Sequence, residues 1–136
     1  MLTGTFLCAQ QFARRYCGDS GHVINIGALT AITGRKNGAN YCAARAGVLT
    51  LTKCLALELA PRIRVNCVIP GLIQTEEVNE RYHLDDPDKA RTFLGQIPLG
   101  QFGTPEDIFR MIYFLVNDST YITGQNFQVD GGKLLH

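Results

Sequence analysis

Apolar residues recur at helical spacing from Leu2 to Cys17, at Leu2, Phe6, Leu7, Ala9, Phe12, Ala13 and Tyr16. Gly18 is a natural stop for that helix, and Gly-Asp-Ser-Gly over 18–21 reads as a turn. His22-Val23-Ile24-Asn25-Ile26 follows, a short β-branched run of the kind found in buried strands. Residues 27–40, rich in Gly, Thr and Asn, read as a loop, and Tyr41 to Ala60 as a long helix ended by Pro61. Arg64 to Ile69 is a second strand, cut off by Pro70-Gly71. The mixed stretch from Leu72 to Pro98 predicts short helices in a mobile segment. Thr104-Pro105-Glu106-Asp107 combines an N-cap Thr, Pro at the first helical position and an acid at the third. The helix it starts carries Ile108, Met111, Ile112, Phe114 and Leu115 inward and frays near Asn117-Asp118. Asn126 to Val129 is a last strand, ended by Asp130-Gly131-Gly132.

Helices alternating with near-continuous apolar strands predict an α/β fold, part of a doubly wound parallel sheet. Three strands are few for such a sheet, which is normally covered on both faces. The first strand is expected to lack a neighbour on one side. Helix 41–60 carries Leu49, Leu51, Leu55, Leu57 and Leu59 with many alanines between, and a helix apolar almost all round is buried on two sides. Both features point to a single domain portion that belongs to something larger.

The 136 residues hold 13 basic and 12 acidic side chains, a net charge of +1. That balance argues against nucleic acid or an anionic membrane as the main partner. At 46% hydrophobic the chain is not disordered, no apolar run reaches the length of a membrane span, and Met1 to Gln10 lacks the basic start of a signal peptide. Cys8, Cys17, Cys42, Cys54 and Cys67 form no C-x-x-C pair, and an odd count suits free thiols in a reducing, cytoplasmic setting. His22, His83 and His136 stand apart, so no metal site is expected, and Asp85-Asp86-Pro87-Asp88 reads as a solvated turn.

Several segments carry a resemblance. Tyr41-Cys42-Ala43-Ala44-Arg45-Ala46-Gly47, preceded by Val23-Ile24-Asn25-Ile26, resembles the active-site segment of the short-chain dehydrogenase/reductases. Arg64-Val65-Asn66 through Pro70-Gly71-Leu72-Ile73-Gln74-Thr75 is similar to that family's R-V-N-x-x-x-P-G-x-I-x-T. Ile97 to Ile108 and Tyr121 to Gly132 are similar to its C-terminal signatures. The resemblance implies the last three strands of a Rossmann-type sheet, with members like the 3-oxoacyl-carrier-protein reductases and the bacterial sugar-alcohol or polyol dehydrogenases as the nearest relatives. It also implies NAD or NADP as cofactor and a small carbonyl or alcohol as substrate. The family's T-G-x-x-x-G-x-G fingerprint, which holds the pyrophosphate, is not in this sequence, so the half that carries it is expected to be absent or encoded elsewhere.

By resemblance the catalytic positions are Tyr41, Arg45 and Ala28, and the cofactor-binding positions are Tyr41, Arg45, Pro70, Gly71, Ile73 and Thr75. Relatives use the backbone at the place of Ile73 and the side chain at that of Thr75 to hold the nicotinamide carboxamide. Three positions depart from the family pattern: Ala28 replaces its Ser, Arg45 its Lys, and Met1 its Asn. Tyrosine ionises at ~10, so a general acid or base at neutral pH needs a nearby cation. Arg45, one turn along the helix, keeps that charge but does not release protons. Loss of a hydroxyl donor to the substrate oxygen costs ~10²–10³ in rate; Thr30 is the nearest alternative hydroxyl. The expectation is therefore an oxidoreductase with weak or no turnover as this chain alone. The rival is a non-catalytic pseudoenzyme subunit or scaffold, assembling as a homo-oligomer or hetero-oligomer through helices 2–17 and 41–60. Leu134 and Leu135 are expected to serve a subunit contact.

Overall fold

The computed structural model describes residues 1–135; His136 lies outside the described residues. The elements are α1 (Leu2–Arg15), β1 (Gly21–Ile26), α2 (Thr30–Thr33), α3 (Ala39–Leu59), β2 (Ile63–Pro70), α4 (Glu76–Tyr82), α5 (Pro87–Leu94), α6 (Pro105–Tyr113) and β3 (Asn126–Val129). The three strands form one parallel sheet in the order β1-β2-β3. Gly21 to Ile26 pair with Ile63 to Val68, and Cys67 to Pro70 with Asn126 to Val129. The expected α/β parallel architecture is thus present, and β1 has one neighbour.

Alternation along β2 builds two layers. Ile63, Val65, Cys67 and Ile69 point to the face covered by α1 and α3, where they pack with Ala9, Leu55, Ala56 and Val48. On the other side Arg64 fans into the loop after α6, donating to the carbonyls of Leu115 (2.8 Å), Ser119 (2.7 Å) and Ile122 (2.8 Å). Asn66 Nδ2 donates to Ile122 O at 3.0 Å while its Oδ1 accepts from Gln125 N at 3.0 Å. Arg64 and Asn66 are therefore the polar bolts that fasten the C-terminal segment onto the sheet. The one buried polar residue of β1, Asn25, donates to Thr52 Oγ1 at 2.9 Å, and Thr52 in turn donates to Val48 O. This pair explains how an apolar strand and an apolar helix each tolerate a polar side chain in the core.

Several boundaries differ from the sequence expectation, each for a local reason. Helix α1 ends at Arg15, not Cys17, because Tyr16 turns extended (φ −72°, ψ 118°) and its hydroxyl donates to Ser20 O. Gly18 is not the stop but the room beneath that ring: a Cβ there would lie 2.5 Å from Tyr16 Oη. The 27–40 stretch is not all loop, since it contains α2, ended at Gly34 with φ +71°. Helix α3 stops at Leu59 because Ala60, preceding a proline, is extended (φ −64°, ψ 151°).

Thr104 caps α6 with the full reciprocal box, Asp107 N donating to its Oγ1 (3.3 Å) and Thr104 N to the Asp107 carboxylate (2.7 Å). Beyond Tyr113 the helix does not fray but widens into a π-turn, Phe114–Asp118, closed by Ser119 N donating to Phe114 O. Phe114 is exposed, against expectation, because it lies off the helix face that Ile108, Met111, Ile112 and Leu115 share, while Leu115 is fully buried. The 72–98 stretch holds α4, capped by Thr75, and α5, capped by Asp86, so Asp85 to Asp88 is a helix start. Among the described residues no helix is long and apolar enough to cross a membrane.

Candidate active site

A cleft of about 1020 Å³ opens at the C-terminal ends of β1 and β2, where parallel α/β sheets place their ligand sites. All seven positions singled out from the sequence line it: Ala28, Tyr41, Arg45, Pro70, Gly71, Ile73 and Thr75. They come from three separate segments, brought together because α2 and α3 follow β1 while the Pro70-Gly71 turn follows β2. Glycine is required at position 71 by close approach, as a Cβ there would sit 2.6 Å from the Asp130 backbone.

Tyr41 lies in the first turn of α3, half-buried, with its amide donating to Asn40 Oδ1 at 2.8 Å. Arg45 is one turn on, and its guanidinium carbon stands 5.4 Å from the Tyr41 ring centre. Its Nη1 donates to Ile26 O at 2.6 Å, at the end of β1, while its buried Nε finds no partner among the described residues. The Arg45 charge is thus anchored to the strand end below the tyrosine and keeps one N–H in reserve. Ala28 brings no hydroxyl to the cleft wall. Thr30 lines the same wall, and its buried Oγ1 also lacks a partner among the described residues.

Sequence reasoning missed a second cation. Arg35 reaches back from the loop after α2, its guanidinium carbon 4.8 Å from the centre of the Tyr41 ring. Two guanidinium groups therefore attend the one phenol. The signal available in the sequence was the glycine-bracketed loop Gly34 to Gly38 just before Tyr41, which has no helical or strand periodicity of its own. The cleft is also lined by Arg81, ion-paired with Glu77, and by Lys133, which donates to Gln96 Oε1 at 2.9 Å. Burial holds the Lys133 ammonium below its ordinary range.

The residues fit the nicotinamide end of a dinucleotide. Gly103 N donates to Leu72 O (3.1 Å) and Gln74 N to Gly103 O (2.7 Å), which turns the N–H and C=O of Ile73 to the opposite side. Such an outward pair matches a carboxamide, and the spare Arg45 Nε–H matches a ribose hydroxyl. Thr75 contributes less freely, because its hydroxyl accepts from Val78 N at 3.3 Å to cap α4.

The chain is similar to known proteins over nearly its whole length. Residues 1–133 match the family model described as enoyl-(acyl carrier protein) reductase, which covers nearly the whole chain. The chain belongs to the short-chain dehydrogenase/reductase family. Its similarity to 3-oxoacyl-(acyl-carrier-protein) reductase of Thermotoga maritima is 44% identity over 119 residues, 85% of this chain and 46% of that protein. Among solved structures, a short-chain dehydrogenase/reductase of Brucella melitensis superposes with a TM-score of 0.85 at 29% identity, over 97% of this chain and 52% of its own. A 4-hydroxyisoleucine dehydrogenase in complex with NADH gives a TM-score of 0.89 at 30% identity, over 99% of this chain and 56% of that one. The chain spans about half the length of the curated relatives it matches.

Proposed function

We propose that this chain forms the carbonyl-binding, proton-transferring end of an NAD(P)-dependent oxidoreductase acting on a small carbonyl or alcohol, with weak turnover on its own. The observation that supports this reading most is the meeting of Tyr41, Arg45 and the Pro70-to-Thr75 turn in one cleft. In the reducing direction Tyr41 Oη gives its proton to the carbonyl oxygen; in the oxidising direction it takes the hydroxyl proton. When bound, the nicotinamide ring supplies or accepts the hydride. Tyr41, Arg45, Pro70, Gly71, Ile73 and Thr75 are the residues proposed to hold it, Ile73 through its outward backbone.

Two features limit the rate. Arg45 does not release protons, so no relay runs from Tyr41 through that position. Ala28 offers no donor to the substrate oxygen, a loss of ~10²–10³ where such a donor is removed. The unpartnered Thr30 hydroxyl on the same wall is the proposed partial replacement.

A second reading, a non-catalytic subunit that assembles through α1 and α3, draws on their exposed apolar side chains. Leu57 is 83% exposed, Leu7 48% and Phe6 39%. Fluorescence titration with NADH and NADPH, with and without a ketone, separates the two. Saturable binding with carbonyl-dependent oxidation is expected of the oxidoreductase, and a higher oligomer by size-exclusion chromatography with neither is expected of the scaffold. A cytoplasmic location is proposed with either reading, in keeping with five free thiols.

A further inference from the structure

We propose that the cleft selects oxo acids and hydroxy acids, substrates whose carboxylate stands one or two carbons from the reacting carbon, and that Arg35 binds that carboxylate. For the fate of the carbonyl this rests on the Tyr41 reading above; for binding it stands alone.

The cleft is far more cationic than the chain as a whole. Among the described residues its lining carries Arg35, Arg45, Arg81 and Lys133 against Glu77 as the one carboxylate, whereas the whole chain has a net charge of +1. Three of the four cations already have a polar partner. Glu77 neutralises Arg81, Ile26 O holds Arg45, and Gln96 holds Lys133. Among the described residues Arg35 makes no ion pair or side-chain hydrogen bond and rests only on the Tyr41 ring. Its forked donors are thus open beside the phenol, and a guanidinium matches a carboxylate with two parallel hydrogen bonds.

The backbone is shaped to put it there. Gly34 (φ +71°) and Asn37 (φ +57°) fold the loop back toward α3. Gly38 is buried and its φ is negative (−135°), so its lack of a side chain serves space and not a left-handed backbone. A Cβ at Gly38 would lie 2.5 Å from both Cγ and Nε of Arg35. The missing methyl group is the slot through which Arg35 crosses to Tyr41. Leu72, Ile73, Val78 and Ile108 wall the same cleft with apolar surface.

The test compares acetoacetate with its neutral methyl ester, binding being read by NMR at the Tyr41 and Ala28 resonances without cofactor. The wild type is expected to bind the acid ~10-fold or more tightly than the ester, the usual range for a charged hydrogen-bonded contact. Arg35→Ala removes the preference, and Gly38→Ala, which leaves Arg35 in the chain but closes its slot, removes it as well; Leu57→Ala keeps it. Equal binding of acid and ester by the wild type, binding of neither, or a preference retained in Arg35→Ala overturns the inference, even where carbonyl-dependent NADH oxidation upholds the oxidoreductase reading. Lost preference in Arg35→Ala without any NADH oxidation upholds the inference while that reading fails.

Discussion

β1 and β2 lie side by side in one parallel sheet and are written in similar residues, yet they are buried very differently. Ile26 pairs directly with Val68; Ile26 is 39% exposed and Val68 not at all. β2 has a strand on each side, α1 and α3 over one face, and the Arg64 and Asn66 fastenings on the other. β1 has one neighbour and one covered face, so only Gly21 and Asn25 are buried along it. Apolar strand sequence thus specifies that a strand is to be covered, while the number of neighbours decides how much energy that covering returns. The closed region around β2 carries stability. The open region around β1, α2 and the head of α3 carries the cleft.

The largest expected effect tests the closed region. Arg64→Ala strips three backbone carbonyls of their donor and is expected to cost on the order of 4 kcal/mol in denaturant unfolding. Arg64→Lys restores only part, since an ammonium cannot reproduce the fork. Next, Ile69→Ala at a fully buried site is expected to cost roughly 3 kcal/mol, and Ile26→Ala on β1 under ~1 kcal/mol. Equal losses would erase the distinction between the strands. Well below the Ile69 loss, Thr104→Ala removes the α6 cap for about 1 kcal/mol.

That cap also sets a pH dependence. Hydrogen bonds from the Thr104 hydroxyl and then its amide hold the Asp107 carboxyl below its ordinary range. A depressed carboxyl stabilises the fold above the ordinary carboxylate range, and the contribution fades as pH falls through the lowered value. Thermal unfolding of the wild type and Asp107→Asn should therefore converge in acid and separate at neutral pH.

Elements with a local cause were legible from the chain itself. The Thr104-Pro105-Glu106-Asp107 start states its own hydrogen bonds, and the β-branched runs of β1 and β2 state that they are strands. Tyr41, Arg45 and the Pro70-to-Thr75 turn were legible as family motifs, and the fold brings them together. What escaped depends on distant partners. The π-turn after Tyr113 seats Leu115 beneath Arg64, a contact across 51 residues, and no local pattern announces it. Gly18 looks like a helix stop and instead makes room for Tyr16. Arg35 sits in a loop without periodicity, and its place over Tyr41 depends on the back-fold at Gly34 and Asn37 and on the slot at Gly38. The polar partnership of Asn25 and Thr52 was equally hidden, being a contact across 27 residues.

The most direct measurement is carbonyl-dependent oxidation of NADH by the purified chain and by its Tyr41→Phe variant, at saturating cofactor with acetoacetate as the carbonyl. The expected result is slow oxidation by the wild type, reduced by ~10²-fold or more in the variant while acetoacetate binding stays unchanged. Equal rates in the two proteins, or no oxidation in either, would contradict the role of Tyr41 as the proton donor of this cleft.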